Sequence, residues 1–278
     1  MTEIITHQGL LKDTKLHVDD PGGTGRPVVL IHGWPLTGES WAPQLPVLLA
    51  AGYRPVTYDR RGFGRSDKPL TGYGYDTLAE DLHSLLVELD LRNVTLVGFS
   101  MGGGEVARYL ATYGPERVRS AVFAAAVTPY MMHMPGNPDG PLHASQAARM
   151  TASLTANKDA FYEDFITGFY SVDGVLQVSE QERQEALAMC RQAGKVPALE
   201  CMTAFGCTDF REDLTRVTVP ALVLHGDGDA TVPFEGSGAR THAAIPGSQL
   251  VVIPGAPHGC NVTHARAFND ALLQFLAR

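Results

Sequence analysis

A short apolar run, Val94-Thr95-Leu96-Val97, leads into Gly98-Phe99-Ser100-Met101-Gly102. Gly103, Gly104 and a helical run from Glu105 to Tyr113 follow. A strand that becomes a helix across G-x-S-x-G leaves the chain few options, because the serine must sit on the sharp turn between them. Glycines flanking the serine let strand and helix approach closely and tolerate the strain of that turn. The helix amino terminus just beyond favours negative charge developing beside it. The segment marks Ser100 as a nucleophile. The competing reading, a glycine-rich structural turn with a chance serine, fits this strand–turn–helix setting poorly.

The remaining sequence supplies the sheet that such a turn needs. Short runs rich in β-branched residues alternate with longer amphipathic segments, the pattern of a parallel sheet covered by helices. Strands are expected at Val28 to His32, Arg54 to Tyr58, Val94 to Phe99, Ser120 to Ala125, Ala221 to His225 and Gln249 to Ile253. An antiparallel hairpin through Val18, on one edge, completes an eight-stranded, mostly parallel sheet. Each core strand ends near Gly, Pro, His, Asp or Ser, where a doubly wound sheet places its ligands and chemistry. Thr77-Leu78-Ala79-Glu80 reads as a capping box, and Leu78, Leu82, Leu85, Leu86 and Leu89 follow at helical spacing. A closing helix from His264 to Ala277 places Ala267, Phe268, Ala271, Leu272 and Phe275 on one face.

The alternation breaks between Pro129 and Arg211. Met131, Met132, Met134, Pro135, Pro138 and Pro141 open a turn-rich stretch without strand signals. Helices are expected after it at Ala144 to Thr155, Asp159 to Phe169 and Glu180 to Gly194. The expected organisation is one core, residues 1–128 and 212–278, with a helical cap of residues 129–211 inserted between core strands and carrying no sheet of its own.

A length of 278 residues allows one or two domains, and the motifs favour a single core split by the insertion. A chain of this size buries roughly three quarters of its unfolded surface and needs no disulfide or metal to fold. Its 44% hydrophobic and 19% charged residues exclude a disordered chain. A net charge of −8 argues against nucleic acid as a partner. No apolar run approaches the roughly 20 residues of a membrane span, so no membrane association is expected. Met1 to Ile5 lack the basic and apolar regions of a secretory signal, and a cytoplasmic location is expected. Cys190, Cys201, Cys207 and Cys260 form no CxxC pair and no zinc-ligand spacing. Reduced thiols are the expectation, with a Cys201–Cys207 disulfide as the alternative. Neither a metal nor an organic cofactor is expected, since H-E-x-x-H, G-x-G-x-x-G and G-x-x-x-x-G-K-[ST] are all absent.

A serine hydroxyl needs a base to take its proton, and that base needs an orienting carboxylate. For this kind of turn the chain order is serine, then Asp or Glu, then histidine. The strand Ala221 to His225 runs into Gly226-Asp227-Gly228-Asp229-Ala230-Thr231-Val232-Pro233, where Asp227 and Asp229 compete for the acid. His258, in the Pro254-Gly255-Ala256-Pro257-His258-Gly259 loop after the last strand, is the candidate base. His32 and His225 end core strands and read as hydrogen-bonded structural residues. His7, His17, His83, His133, His143, His242 and His264 read as surface groups. An oxyanion hole needs the backbone N–H of Met101 and a second donor from Gly33-Trp34-Pro35. Pro35 has no N–H, which leaves Trp34.

These segments resemble the α/β-hydrolase superfamily, whose G-x-x-D-x-x-[VT]-P segment implies that Asp229 is the acid and leaves Asp227 to brace the turn. His32-Gly33-Trp34-Pro35-Leu36, the run from Tyr58-Asp59-Arg60-Arg61 to Ser66, Gly104-Glu105-Val106-Ala107-Arg108-Tyr109 and Gly255-Ala256-Pro257-His258-Gly259 narrow the likeness. They resemble the cofactor-free haloperoxidase and arylesterase subfamily. That resemblance implies an esterase that also perhydrolyses small carboxylic acids, the released peracid oxidising halide in solution. Hydrolysis of a lactam, lactone or carbon–carbon bond by the same triad is the alternative. A non-catalytic protein binding a small ligand on the same fold is the alternative of another class. Arg60, Arg61 and Arg65 suggest an anion site or structural salt bridges, and their place in a turn shared by the superfamily favours the second.

Phe161, Phe165 and Phe169 recur at helical spacing and read as packing onto the core. The sharper reading places Phe161 and Phe165, with Phe99, Met131, Met132 and Trp34, on the wall of an apolar acyl pocket. Such a pocket suits small uncharged esters or short carboxylic acids. A homo-oligomer is compatible with the sequence.

Overall fold

The computed structural model describes residues 2–6 and 13–278, so the turn of the first hairpin and the expected surface position of His7 lie outside the described residues. β1 (Thr2–Thr6) and β2 (Thr14–Asp19) pair antiparallel, with Ile4 opposite Leu16. Then come β3 (Pro27–Ile31), α1 (Leu45–Ala50), β4 (Arg54–Tyr58), α2 (Tyr75–Glu88), β5 (Val94–Phe99), α3 (Met101–Tyr113) and β6 (Val118–Ala124). The next stretch holds α4 (Ala144–Ala156), α5 (Lys158–Phe169), β7 (Ser171–Val172), β8 (Val175–Leu176), α6 (Glu180–Arg191), α7 (Lys195–Cys207) and α8 (Arg211–Thr215). The chain closes with β9 (Ala221–Gly226), α9 (Gly238–Ala244), β10 (Gln249–Ile253), α10 (Cys260–Thr263) and α11 (Ala265–Leu276).

Among the described residues, eight strands form one sheet in the order β1-β2-β4-β3-β5-β6-β9-β10. It is parallel from β4 to β10 and antiparallel where β2 meets β1 and β4. Every residue of β5 is buried, which is why its sequence is a continuous apolar run rather than an alternation. β3 lies between β4 and β5. The chain therefore leaves β3 toward one side of the sheet and later leaves β5 toward the other. The loops beyond these two strands flank the switch point where α/β sheets bind ligands. Gly33-Trp34 follows β3, and Ser100 follows β5.

Several local expectations are corrected. α2 starts at Tyr75 with Gly74 as its N-cap and no capping side chain, so the capping box at Thr77 does not form. Tyr75 draws the start back, because its buried ring meets Phe210 edge-on at 4.6 Å and its hydroxyl donates to the Met101 carbonyl at 3.0 Å. On α11 Ala267 is exposed, and Phe268, Leu272, Phe275 and Leu276 form the buried face.

The region between β6 and β9 does contain a small sheet. β7 and β8 are joined by Asp173 and Gly174, both at positive φ (51° and 77°), the geometry that a D-G hairpin turn requires. α7 was not anticipated because Pro197 interrupts the pattern. It occupies the third helical position, where its missing N–H would have had no helical acceptor. Cys201 and Cys207 both lie on α7 and all four cysteines are free. Six residues along a helix span about 9 Å, too far for a disulfide. No helix among the described residues is long and apolar enough to cross a membrane.

Candidate active site

Ser100 occupies the turn between β5 and α3 at φ 54° and ψ −117°, a conformation that a residue with a side chain adopts only at a cost. The flanking glycines make it possible by contact rather than flexibility. A Cβ on Gly98 would meet the Gly102 carbonyl oxygen at 2.4 Å, and one on Gly102 would meet the Ile31 oxygen at 2.6 Å. The elbow is tied to its neighbours through the backbone. Ser100 N–H donates to Ala124 O at 2.8 Å, while Gly103 and Val127 donate to the Ser100 carbonyl at 3.0 and 3.2 Å.

His258 arrives from the loop after β10 and Asp229 from the loop after β9. His258 Nε2 lies 2.9 Å from Ser100 Oγ, and His258 Nδ1 lies 2.6 Å from Asp229 Oδ2. A carboxylate only accepts, so the proton between them belongs to Nδ1 and Nε2 is left to accept from the serine. Phe99 and Phe169 hold the imidazole, with ring centroids 5.2 and 4.8 Å away. Asp229 is buried, and burial alone would push its carboxyl up. The charge of His258 and the hydrogen bonds from His225 and His258 more than offset this and bring it down to about 2. Its other oxygen accepts the N–H groups of Thr231 and Val232 at 2.9 and 2.7 Å. That Asx turn is the sequence signal for these two donors. Asp227 does not reach His258; it accepts from Gly255 N–H at 2.5 Å and so links the two loops.

His225, near the end of β9, reaches the Asp229 carboxylate as well as the backbone. Its Nε2 lies 2.8 Å from the Val232 carbonyl and 3.2 Å from Asp229 Oδ2. Nothing in the local sequence distinguishes this arrangement from a histidine that merely ends a strand.

The loop after β3 runs over the nucleophile. A Cβ on Gly33 would lie 2.8 Å from Phe99 Cδ1 and 3.1 Å from Ser100 Cβ. Trp34 is buried and its indole N–H donates to the Ala198 carbonyl at 3.0 Å, which anchors the loop to α7. Met101 is the first residue of α3, where a helical N–H finds no carbonyl within the helix. Trp34 and Met101 are thus the residues that follow Gly33 and Ser100 on the two loops that meet at the nucleophile.

Beside the site lies a cavity of about 740 Å³, walled by α4, α5, the segment around Met131 and the loop after Asp229. Met131, Phe161 and Phe165 line it. Phe99 and Met132 do not line this cavity. The Phe99 ring is occupied beneath His258 and against Trp41 and Phe169. Met131 O accepts from Leu142 N–H and Leu142 O from His133 N–H, a ladder whose side chains alternate, so Met132 faces away from Met131. Ser100 and His258 are also absent from the cavity wall. The Trp34 ring packs edge-on against two of the lining residues, 5.1 Å from Phe165 and 6.1 Å from Phe161.

The sequence and the fold both have known relatives. Residues 26–265 match the family described as alpha/beta hydrolase fold. The chain is 42% identical over 257 residues to a non-heme chloroperoxidase of Kitasatospora aureofaciens, covering 91% of this chain and 93% of that one. It is 36% identical to a bifunctional esterase/perhydrolase of Acinetobacter calcoaceticus, covering 92% and 94%. The crystal structure of a bromoperoxidase from Bacillus anthracis superposes with a TM-score of 0.96 at 49% identity, covering 100% of this chain and 99% of that one.

Proposed function

The chain belongs to the α/β-hydrolase family and, within it, to the non-heme haloperoxidase group, and on that premise we propose that it is a serine esterase working through an acyl-enzyme. It is an enzyme of the α/β-hydrolase class with esterase and perhydrolase-like relatives. The observation that carries the finer reading is the continuous link Ser100–His258–Asp229, at 2.9 and 2.6 Å.

In this reading Ser100 Oγ attacks the ester carbonyl while His258 Nε2 takes its proton. Asp229 holds the imidazole by Nδ1–H and stabilises its charged form. The tetrahedral oxyanion is bound by the N–H groups of Trp34 and Met101, each such donor being worth about 2.7–4 kcal/mol of transition-state stabilisation. His258 then protonates the departing alkoxide and the acyl group stays on Ser100. Water, deprotonated by His258, releases a carboxylic acid. Hydrogen peroxide in its place releases the peracid and restores the serine hydroxyl. Residues 129–211 act as the cap, and the wall of Met131, Phe161 and Phe165 selects small uncharged acyl groups.

The test is p-nitrophenyl acetate hydrolysis, and peracid formation from acetate and hydrogen peroxide, by wild type against Ser100→Ala. Turnover of both kinds that depends on Ser100 supports the reading. A wild type no faster than the variant overturns it.

A further inference from the structure

The Asp59-Arg60-Arg61 turn holds two buried arginines, both 1% exposed, and the two are used differently. Arg61 forms a two-pronged pair with Asp81 on α2, at 2.5 and 2.6 Å. Arg60 is directed at the active-site loops. Its guanidinium Nε pairs with Glu105, on α3 one turn beyond Met101, and its Nη2 donates to the His32 carbonyl at 2.6 Å. Glu105 also accepts from the Tyr58 hydroxyl at 2.7 Å.

The imidazole of His32 continues the link. Arg60 backbone N–H donates to His32 Nε2 at 2.9 Å, so Nε2 is the acceptor nitrogen and the ring proton sits on Nδ1. Nδ1 in turn lies 2.8 Å from the Gly33 carbonyl oxygen. That carbonyl and the Trp34 N–H are the two ends of one peptide plane, so a grip on the oxygen fixes the direction of the N–H. Full burial, followed by the nearby charge of Arg60, holds His32 well below the ordinary imidazole range. The ring therefore stays neutral, as the relay requires.

We infer that His32 and Arg60 are positioning residues for the oxyanion hole. Resting on the serine-esterase reading, the inference gives the relay a definite task. It orients the Gly33–Trp34 peptide through its carbonyl and, through Glu105, ties that loop to α3 one turn beyond Met101, which supplies the other donor. Burying an arginine–carboxylate pair brings little or no net stability relative to apolar packing. The directional bonds it makes here are what apolar side chains could not supply.

The experiment compares His32→Ala, His32→Asn and, as control, Arg61→Lys. Active sites are titrated with diethyl p-nitrophenyl phosphate so that every rate is expressed per functional site. Asparagine can place an amide N–H where Nδ1–H stood, whereas alanine cannot. His32→Ala is expected to lower kcat on p-nitrophenyl acetate by about tenfold or more with KM nearly unchanged, and to weaken binding of phenylboronic acid, whose tetrahedral adduct occupies the hole, by a similar factor. His32→Asn is expected to recover most of both losses. Arg61→Lys removes the two-pronged geometry of a buried pair but is expected to keep its kcat per site. Should His32→Ala not fold, Arg60→Lys, which removes the fork that reaches His32 and Glu105 together, is read in the same way. Equal kcat and boronate affinity in wild type and the relay variants overturn the inference, as does an equal loss in Arg61→Lys. Failure of the esterase reading itself would appear separately, as a wild type no faster than Ser100→Ala.

Discussion

Replacing Gly33 with alanine tests the oxyanion loop by displacement alone. Gly33 is not at positive φ, so a methyl group there introduces no backbone strain and acts through space. The new Cβ would lie 2.8 Å from Phe99 Cδ1 and 3.1 Å from Ser100 Cβ, against the 3.4 Å at which ordinary contact begins. The overlaps are therefore about 0.6 and 0.3 Å. Phe99 cannot yield easily, because its ring is packed against Trp41, Phe169 and His258. The loop itself must lift by a few tenths of an ångström, carrying Trp34 N–H away from the oxyanion. A misplacement of about 1 Å can cost a hundredfold in rate, and losing a donor entirely costs about 10²–10³. The expected loss is thus about 10- to 100-fold in kcat per titrated site, with KM almost unchanged because the donor acts only in the transition state. Overpacking of this kind is also expected to destabilise the fold by about 1–3 kcal/mol in urea unfolding. Steady-state kinetics on p-nitrophenyl acetate with active-site titration decides the matter. A Gly33→Ala enzyme within twofold of the wild-type kcat would refute the placement of the hole.

Three further outcomes follow from the same geometry. His258→Ala is expected to lower kcat/KM on p-nitrophenyl acetate by about 10²- to 10⁴-fold, since no base is then left to take the Ser100 proton, and near-wild-type turnover would contradict that role. Asp229 lies at about 2 in the folded protein against an ordinary 3.8. Its ionisation therefore stabilises the fold fully above the ordinary value, and this contribution is lost as pH falls toward 2. The stability gap between wild type and Asp229→Asn should accordingly narrow by about 2 kcal/mol between pH 5 and 2 in denaturant titrations; a constant gap would count against the charged partnership with His258. Phe165→Ala enlarges the cavity wall and should shift preference from acetyl toward longer acyl esters by about tenfold in kcat/KM, whereas an unchanged chain-length profile would separate that cavity from acyl binding.

What could be read from the sequence depended on how local its cause was. The elbow was fully legible, since Gly98, Gly102 and Gly103 are required by contacts within a few residues or with the adjacent strand and helix. Continuous apolar runs likewise revealed the core strands, because both faces of a parallel sheet are covered. The Asp173-Gly174 hairpin carried a clear turn signal, but two-residue strands are too short to show alternation. The start of α2 was hidden because a tertiary contact of Tyr75 with Phe210 outweighs the local capping preference of Thr77. The cavity wall was partly legible. A helical stripe shows that Phe161 and Phe165 share a face with Phe169, yet only the packed structure directs Phe169 to His258 and the other two to the cavity. The relay through Arg60 and His32 joins residues 28 and 45 positions apart, so no local pattern reveals it.

The central claim is that Ser100 becomes acylated. The most direct measurement is rapid-quench mass spectrometry of the protein during p-nitrophenyl acetate turnover, with peptide mapping of any adduct. A single acetyl group on Ser100, formed at a rate at least equal to turnover and absent from Ser100→Ala, is the predicted result. Steady turnover with no adduct on Ser100, or with the adduct on another residue, would contradict the account.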